Sequence, residues 1–93
     1  MTDKSFDSVW DAIEDTPVEA AHMRIRSTLM MALRDHIERA GLSQAQAAKI
    51  LGITQPRVSD LMRGKIDLFA IDSLVSMLAA AGLQVELRVA AAA

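Results

Sequence analysis

The sequence predicts an all-α fold of about five helices, followed by one short C-terminal β-strand. Apolar residues recur every three or four positions through most of its 93 residues, which is the period of an amphipathic helix. Only three residues are aromatic, and an interior of aliphatic side chains suits helices better than a β-sandwich. Residues 83–89, LQVELRV, instead alternate apolar and polar side chains, as a half-buried strand does. The chain length predicts a single domain over residues 1–93.

The first predicted helix lies in an N-terminal arm, residues 1–15, and covers SFDSVWDAIED at 5–15. Ser5 is its expected N-cap. Four apolar residues share one face at helical spacing: Phe6, Val9, Trp10 and Ile13. The arm is acidic, and two interpretations remain open: its charges keep the protein soluble while the apolar face packs on the domain, or the arm docks on a basic partner protein.

The second predicted helix begins at Thr16-Pro17-Val18-Glu19 and ends at Gly41. Thr16 suits the N-cap, Pro17 the first helical position, and Glu19 the place three residues after the cap. Gly41 can adopt the left-handed conformation that closes a helix. The predicted buried stripe of this long helix consists of Ile25, Leu29, Leu33, Ile37 and Ala40.

Two short helices joined by a glycine turn are predicted next, over residues 44–51 and 55–63. Ser43 caps the first, with Gln46 in the reciprocal capping position, and Gly52 forms the turn. Thr54 caps the second, where Pro56 is tolerated because N–H groups of the first turn have no intrahelical acceptor. Ala48 is small enough to let the helices cross closely, and the apolar residues that pin them are Ala47, Leu51, Ile53, Val58 and Leu61.

The last predicted helix covers residues 68–82 and closes at Gly82. Its predicted buried residues are Ile71, Leu74, Val75 and Leu78. The strand over residues 83–89 follows, and because nothing else in the sequence is typical of a strand, its backbone groups need a partner from a second copy. If two copies pair antiparallel about Leu87, Glu86 lies opposite Arg88, and Val85 lies opposite Val89. The predicted dimerisation residues are Val85, Leu87, Arg88 and Val89.

The net charge of −2 hides an asymmetry along the chain. Residues 1–20 carry a net −5, residues 21–66 a net +5 and residues 67–93 a net −2. The cations of the middle segment are Arg24, Arg26, Arg34, Arg39, Lys49, Arg57, Arg63 and Lys65, against Asp35, Glu38 and Asp60. The positive charge therefore coincides with the two short helices.

Two short helices joined by a glycine turn, the second exposing polar side chains beside positive charge, form the arrangement that places a recognition helix in the DNA major groove. The stretch SQAQAAKILGITQPRVSDLMRGK, residues 43–65, resembles the helix-turn-helix of the phage-repressor (Cro-like, XRE) family. The flanking stretches TPVEAAHMRIRSTLMMALRDHIERAG and FAIDSLVSMLAAAGLQVELRV extend the resemblance to small XRE regulators that serve as HigA-like antitoxins. This resemblance implies a phage-repressor-like DNA-binding bundle, a dimer, and a gene commonly paired with a RelE/HigB-like toxin.

The family pattern also implies which residues contact DNA. Gln44 would bond a phosphate, Gln55 would reach the N6 and N7 edge of adenine, and Arg57 the O6 and N7 edge of guanine, with phosphate contact alone as the alternative for the last two. Asp60 would accept from cytosine N4 or orient Arg57 or Arg63. The full predicted DNA-binding set is Ser43, Gln44, Thr54, Gln55, Arg57, Ser59, Arg63 and Lys65. The sequence departs from the family at Ala70, where relatives often carry a Ser or Thr N-cap, which leaves Asp67 as the alternative cap.

Other classes of function find little support in the sequence. There is no cysteine for a disulfide or a thiolate zinc site, and His22 and His36 have no partners at metal-ligand spacing except Asp35 beside His36. We find no glycine-rich phosphate loop and no Ser/His/acid set, so the sequence predicts neither an enzyme nor a cofactor. No apolar run is long enough for a signal peptide or membrane span, which favours the cytoplasm.

These observations predict a dimeric, sequence-specific repressor that binds an inverted-repeat operator, with recognition helices about 34 Å apart. The resemblance further implies that this repressor is the autoregulating antitoxin of a RelE/HigB-like toxin. Two alternatives remain open: a stand-alone XRE-family regulator without a toxin, and a toxin-binding module with weak DNA binding. The alternative without a DNA-binding role is that the two short helices form an ordinary helical hairpin in a small bundle.

Overall fold

A computed structural model describes residues 16–91, which form four α-helices and one 3₁₀ turn. The helices are α1 (Pro17–Arg39), α2 (Gln44–Leu51), α3 (Gln55–Met62) and α4 (Ile71–Ala80), and the 3₁₀ turn covers Ile66–Leu68. Helix α1 packs mainly against α4, and α2 packs mainly against α3. The described residues therefore confirm an all-helical bundle, while the predicted helix over residues 5–15 lies outside them.

The core lies where all four helices meet, and Phe69, between the 3₁₀ turn and α4, is the largest side chain that is fully buried. All five apolar residues predicted to pin the two short helices are buried or packed against this core. The buried side chains are Leu29, Met30, Leu33, Ile37, Ala47, Leu51, Val58, Leu61, Phe69, Leu74, Met77 and Leu78. Within residues 16–91 the interior is thus built from aliphatic and methionine side chains apart from one ring, as the composition predicted.

Helix α1 begins where the sequence predicts, since Thr16 Oγ1 accepts a hydrogen bond from the Glu19 N–H at 3.1 Å and Pro17 is the first helical residue. Its predicted stripe, however, is buried only in part: Ile25 and Ala40 are exposed, and every buried residue of α1 lies at or after Leu29. Ala40 is the C-cap and lies beyond the last helical residue of α1. For Ile25 the reason is length, because 23 residues span about 35 Å whereas the ten of α4 span about 15 Å. The first half of α1 therefore extends beyond its helical partner.

Helix α4 starts later than predicted, at Ile71 rather than residue 68. The 3₁₀ turn occupies residues 66–68, and Phe69 has an extended backbone with its ring in the core. Helix α4 can therefore begin only after Phe69 in the sequence. Ala70 holds the N-cap position and no side chain caps the helix, so the alternative cap by Asp67 is not found. Met77 is buried in the face where Val75 was expected, and Val75 is exposed.

The predicted strand over residues 83–89 is not present in the described single chain, and neither is any other strand between residues 16 and 91. A strand is defined by pairing with a neighbour, and here no neighbouring strand offers its backbone groups. Residues 83–91 instead form a C-terminal segment without regular structure. Leu83 and Val85 pack against the core, whereas Leu87 is 82% exposed and Val89 is 96% exposed.

Candidate nucleic-acid interface

The turn between α2 and α3 is fixed by local hydrogen bonds that the sequence encodes. Ser43 Oγ accepts from the Gln46 N–H at 3.1 Å, and Gln46 Oε1 accepts from the Ser43 N–H at 2.9 Å, which completes the predicted capping box. Gly52 closes α2 with φ of +70°, a conformation that costs a residue with a Cβ about 1–2 kcal/mol. The N–H of Ile53 then donates to the carbonyl of Ala48 at 3.1 Å, which turns the chain into α3.

Helix α3 is held from one side, so its other side is available to a ligand. Val58 and Leu61 are completely buried, and Thr54 Oγ1 caps the helix by accepting from the Arg57 N–H at 3.4 Å. Gln55 and Pro56, at the start of α3, are exposed. The N–H groups of the first turn also give this end of the helix a partial positive charge, which favours contact with phosphate.

The predicted DNA-binding residues occupy three places in this arrangement. Two lie at the start of α2, four lie on or just before α3, and two lie at its end and in the following loop. Six are exposed, namely Ser43, Gln44, Thr54, Gln55, Arg63 and Lys65, and two are half-buried, namely Arg57 and Ser59. All eight are therefore at least partly accessible on the same helix-turn-helix.

Arg57 lies in a position that the sequence did not indicate. Its Nη1 donates to the carbonyl oxygen of Leu68 at 2.9 Å, and its guanidinium carbon lies 4.2 Å from the centroid of the Phe69 ring. The ring itself is 1% exposed. Phe69 is the only Phe, Tyr or Trp between residues 16 and 91, so an arginine twelve positions before a lone aromatic residue was the available signal.

Asp60 pairs with Lys65 rather than with the two arginines considered for it. Lys65 Nζ lies 3.7 Å from Asp60 Oδ1, and the Lys65 N–H donates to the Asp60 carbonyl at 3.1 Å. The ion pair is partly exposed, so it contributes little to stability. It does keep Lys65 beside the C-terminal end of α3, where contact with a phosphate was predicted.

Arg34 of α1 is a further cation near this end of α3. A Cβ added to Gly64 would lie 3.4 Å from Arg34 Nη1, so the arginine reaches the residue between Arg63 and Lys65. Its Nε is buried and has no hydrogen-bond partner. From the sequence, Arg34 was expected to contribute only to the net positive charge. A cation four residues after the buried Met30 nevertheless interrupts the apolar face and was a usable signal.

The predicted dimerisation residues lie at the opposite end of the chain, in the C-terminal segment. Val85 is half-buried, and Leu87, Arg88 and Val89 are exposed. An open groove of about 360 Å³ separates this segment from α1, with Ile25, Leu29, Val85 and Leu87 among its lining residues. Apolar surface is therefore concentrated away from the helix-turn-helix.

Neither a metal cluster nor a membrane span is found in the part of the chain that the structure describes. Residues 16–91 contain no group of three or more His, Asp or Glu side chains placed to hold a metal ion. No helix among them is both long and apolar enough to cross a bilayer.

Comparisons with known proteins agree with the geometry. A family model described as a helix-turn-helix domain matches residues 12–90. A solved structure described as an XRE family transcriptional regulator is 38% identical in sequence, covers 80% of this chain and 83% of its own, and superposes with a TM-score of 0.74. No curated protein gives a significant sequence match.

Proposed function

Because the chain belongs to the XRE family of helix-turn-helix transcriptional regulators, we propose that it is a sequence-specific repressor that binds an inverted-repeat operator as a homodimer. One observation supports this most directly. Val58 and Leu61 fix α3 on the core, while Gln55 and the cations Arg63 and Lys65 remain exposed on the same helix and its following loop. A rigid helix with a free polar face is what reading of the major groove requires.

The proposed contacts divide into base reading and phosphate binding. Gln55, in the first turn of α3, is proposed to reach adenine, and Ser59 is the next outward residue one turn later. Phosphates would be bound by the two helix N-termini and by flanking side chains. The proposed phosphate-binding residues are Ser43, Gln44, Thr54, Arg63 and Lys65. Arg57 is proposed to belong to the interface as well.

We base the homodimer on the C-terminal segment. Leu87 and Val89 are almost fully exposed apolar residues, and the backbone around them has no strand partner among residues 16–91. Antiparallel pairing of two copies about Leu87 would join both backbones and place Glu86 opposite Arg88. The two-fold axis would then set two recognition helices about one turn of DNA apart.

The finer proposal is that this repressor is also the antitoxin of a RelE/HigB-like toxin and represses its own promoter. Its support is the resemblance of residues 16–89 to HigA-like proteins and the acidic N-terminal arm, which suits a basic partner. The competing proposal is a stand-alone regulator, in keeping with the similar solved structure, which is described as a transcriptional regulator.

Operator selection tests the DNA-binding proposal. We would select duplexes from a random library, footprint the enriched site, and compare wild type with Gln55→Ala and with Ser76→Ala, a control on the exposed side of α4. We expect an inverted repeat whose preference at one A·T pair per half-site is lost in Gln55→Ala and retained in Ser76→Ala. Enrichment of no sequence by the wild type would contradict the proposal.

Growth tests the antitoxin proposal separately. The open reading frame adjacent to the gene would be induced in a bacterial host with and without this protein. Growth arrest that the protein relieves supports an antitoxin, and removal of residues 1–15 then asks whether the arm is needed. A harmless neighbour, or arrest that the protein does not relieve, favours the stand-alone regulator.

A further inference from the structure

Arg57 makes the contact between α3 and the loop before α4, and arginine is the residue type that most commonly reads guanine. We propose that Arg57 is instead a positioning residue: its guanidinium fastens the α3–α4 loop, residues 63–70, to the first turn of the recognition helix, and base reading falls to Gln55 and Ser59. The inference rests on the proposed DNA-binding function and assigns a role within that site.

Arg57 is held at both its backbone and its side chain. The backbone N–H donates to Thr54 Oγ1 at 3.4 Å, and the guanidinium Nη1 donates to the Leu68 carbonyl at 2.9 Å. The guanidinium also lies over the Phe69 ring, 4.2 Å from its centroid. Because that ring is almost completely buried in the core, it is a fixed platform, and a planar guanidinium stacked on it has few alternative positions.

The chemistry of these contacts suits a positioning role for Arg57. Arg57 is the third residue of α3, where the partial positive charge at the helix N-terminus disfavours a cation. The carbonyl dipole of Leu68 and the negative face of the Phe69 ring offset that repulsion. Because the Leu68 carbonyl and the Phe69 ring are both uncharged, neither neutralises the positive charge of the guanidinium, which still attracts the DNA backbone.

The loop that Arg57 fastens contains a second part of the interface. Lys65 lies in this loop, and the 3₁₀ turn that follows it contacts α1. The Asp60 contacts hold Lys65 at the start of the loop, and Arg57 holds Leu68 near the end of the loop. The two sets of contacts together set the distance between Gln55, proposed for bases, and Lys65, proposed for phosphate. Loss of the Arg57 contacts would loosen this spacing without removing either side chain.

A base-reading Arg57 would behave differently from a support. Reading guanine uses two N–H groups directed at O6 and N7, and one side of the guanidinium already donates to Leu68. A base reader determines preference at one G·C pair. A support lowers affinity for all sequences that need the same spacing, and its contacts with Phe69 remain when DNA binds.

The first test compares affinities for the selected operator and for all its single base-pair variants. For Arg57→Ala we expect about tenfold weaker binding to the operator, the loss expected for one charge-assisted hydrogen bond, with the ranking of the variants unchanged. Arg57→Lys keeps the charge but not the planar stacking, and we expect intermediate affinity. Gln55→Ala is the comparison variant, because it should lose the preference at one base pair. Circular dichroism of each variant confirms folding before affinities are compared.

The second test uses the wild-type protein and so does not depend on a variant that folds. The Arg57 side-chain N–H signals in nitrogen-15 spectra should be shifted by the Phe69 ring current in the free protein and should keep that shift after the operator is added. Loss of the shift on binding would overturn the proposal. So would loss in Arg57→Ala of preference at one G·C pair, particularly if 7-deazaguanine at that pair weakens wild type and not the variant. If wild type selects no operator, the proposed function itself fails and this inference fails with it.

Discussion

The helix-turn-helix, residues 43–62, packs its predicted internal apolar residues in the core, whereas the C-terminal segment, residues 83–91, packs only Leu83 and Val85 there. In the first, every residue predicted to be apolar and internal is packed in the core, and both helices begin with a side-chain cap. In the second, Leu87 and Val89 face solvent and no regular structure forms. The comparison indicates that a single chain suffices to build the DNA-binding element, whereas its C-terminal end has apolar residues that the single chain does not use.

Removing one leucine from each region tests this contrast most strongly. Leu61→Ala should lower the free energy of unfolding by about 3 kcal/mol, because a completely buried side chain leaves a cavity. Leu87→Ala, at a side chain that is 82% exposed, should change it by less than about 0.5 kcal/mol at low protein concentration. Urea denaturation measures both. At higher protein concentration, a loss for Leu87→Ala that grows with concentration would place Leu87 in the proposed dimer interface.

The turn glycine offers a comparison of backbone strain. Gly52→Ala should destabilise the protein by about 1–2 kcal/mol, since φ is +70° and a Cβ would meet open space, so that conformational strain is the whole cost. Gly82→Ala is a matched control with φ of +81° and equally open space, beyond α4. Thermal unfolding should show similar losses, and operator affinity should fall only for Gly52→Ala. Unequal losses of stability would show that tertiary contacts at one turn add to the strain.

Two helix starts have the same backbone conformation at the N-cap but differ in their side-chain cap. Thr54 and Ala70 both have φ of −79° and ψ of 158°, but only Thr54 makes a side-chain cap hydrogen bond. Thr54→Ala should therefore cost about 1 kcal/mol and Ala70→Thr should add up to about 1 kcal/mol. Denaturant unfolding of both single variants and the double variant measures this. No gain for Ala70→Thr would mean that the neighbouring loop prevents the new hydroxyl from reaching the helix.

The smallest effect on stability is expected at the partly exposed ion pair. Lys65→Met should change the free energy of unfolding by less than about 0.5 kcal/mol, because the pair with Asp60 is solvated. It should nevertheless weaken binding to all DNA sequences alike and reduce the slope of log affinity against log salt by about one. Affinity titrations at several salt concentrations test this, with Lys49→Met as a control for loss of charge. A change in sequence preference would contradict the phosphate assignment.

Features that depend on neighbouring residues were predictable from the sequence. Caps at Thr16, Ser43 and Thr54 and the glycine turn follow from side chains within three or four positions of each other. Burial of Leu61 and Val58 follows from helical periodicity. These signals were sufficient to place the helix-turn-helix and its exposed residues.

Features that depend on distant residues were not predictable in the same way. The start of α4 was placed too early because the docking of Phe69 decides where that helix begins. Periodicity gave α1 a buried stripe longer than α4 can cover, since periodicity says nothing about the length of the partner. In the site, two contacts join residues that are far apart in sequence: Arg57 with Leu68, and Arg34 with Gly64. The sequence gives the type and charge of these residues but does not predict that they meet.

Because α1 is longer than α4, the two halves of α1 should differ in how readily their backbone hydrogen bonds open to solvent. Residues 17–28 contribute no buried side chain, and a helical stretch of this length is marginal in water by itself. Their amide hydrogens should exchange with solvent by local fraying, while those around Leu33 and Ile37 should exchange only when the whole domain unfolds. In a hydrogen-exchange experiment, the amides around Leu33 and Ile37 therefore serve as the internal reference. Slower exchange at residues 17–28 would reveal any partner that covers them.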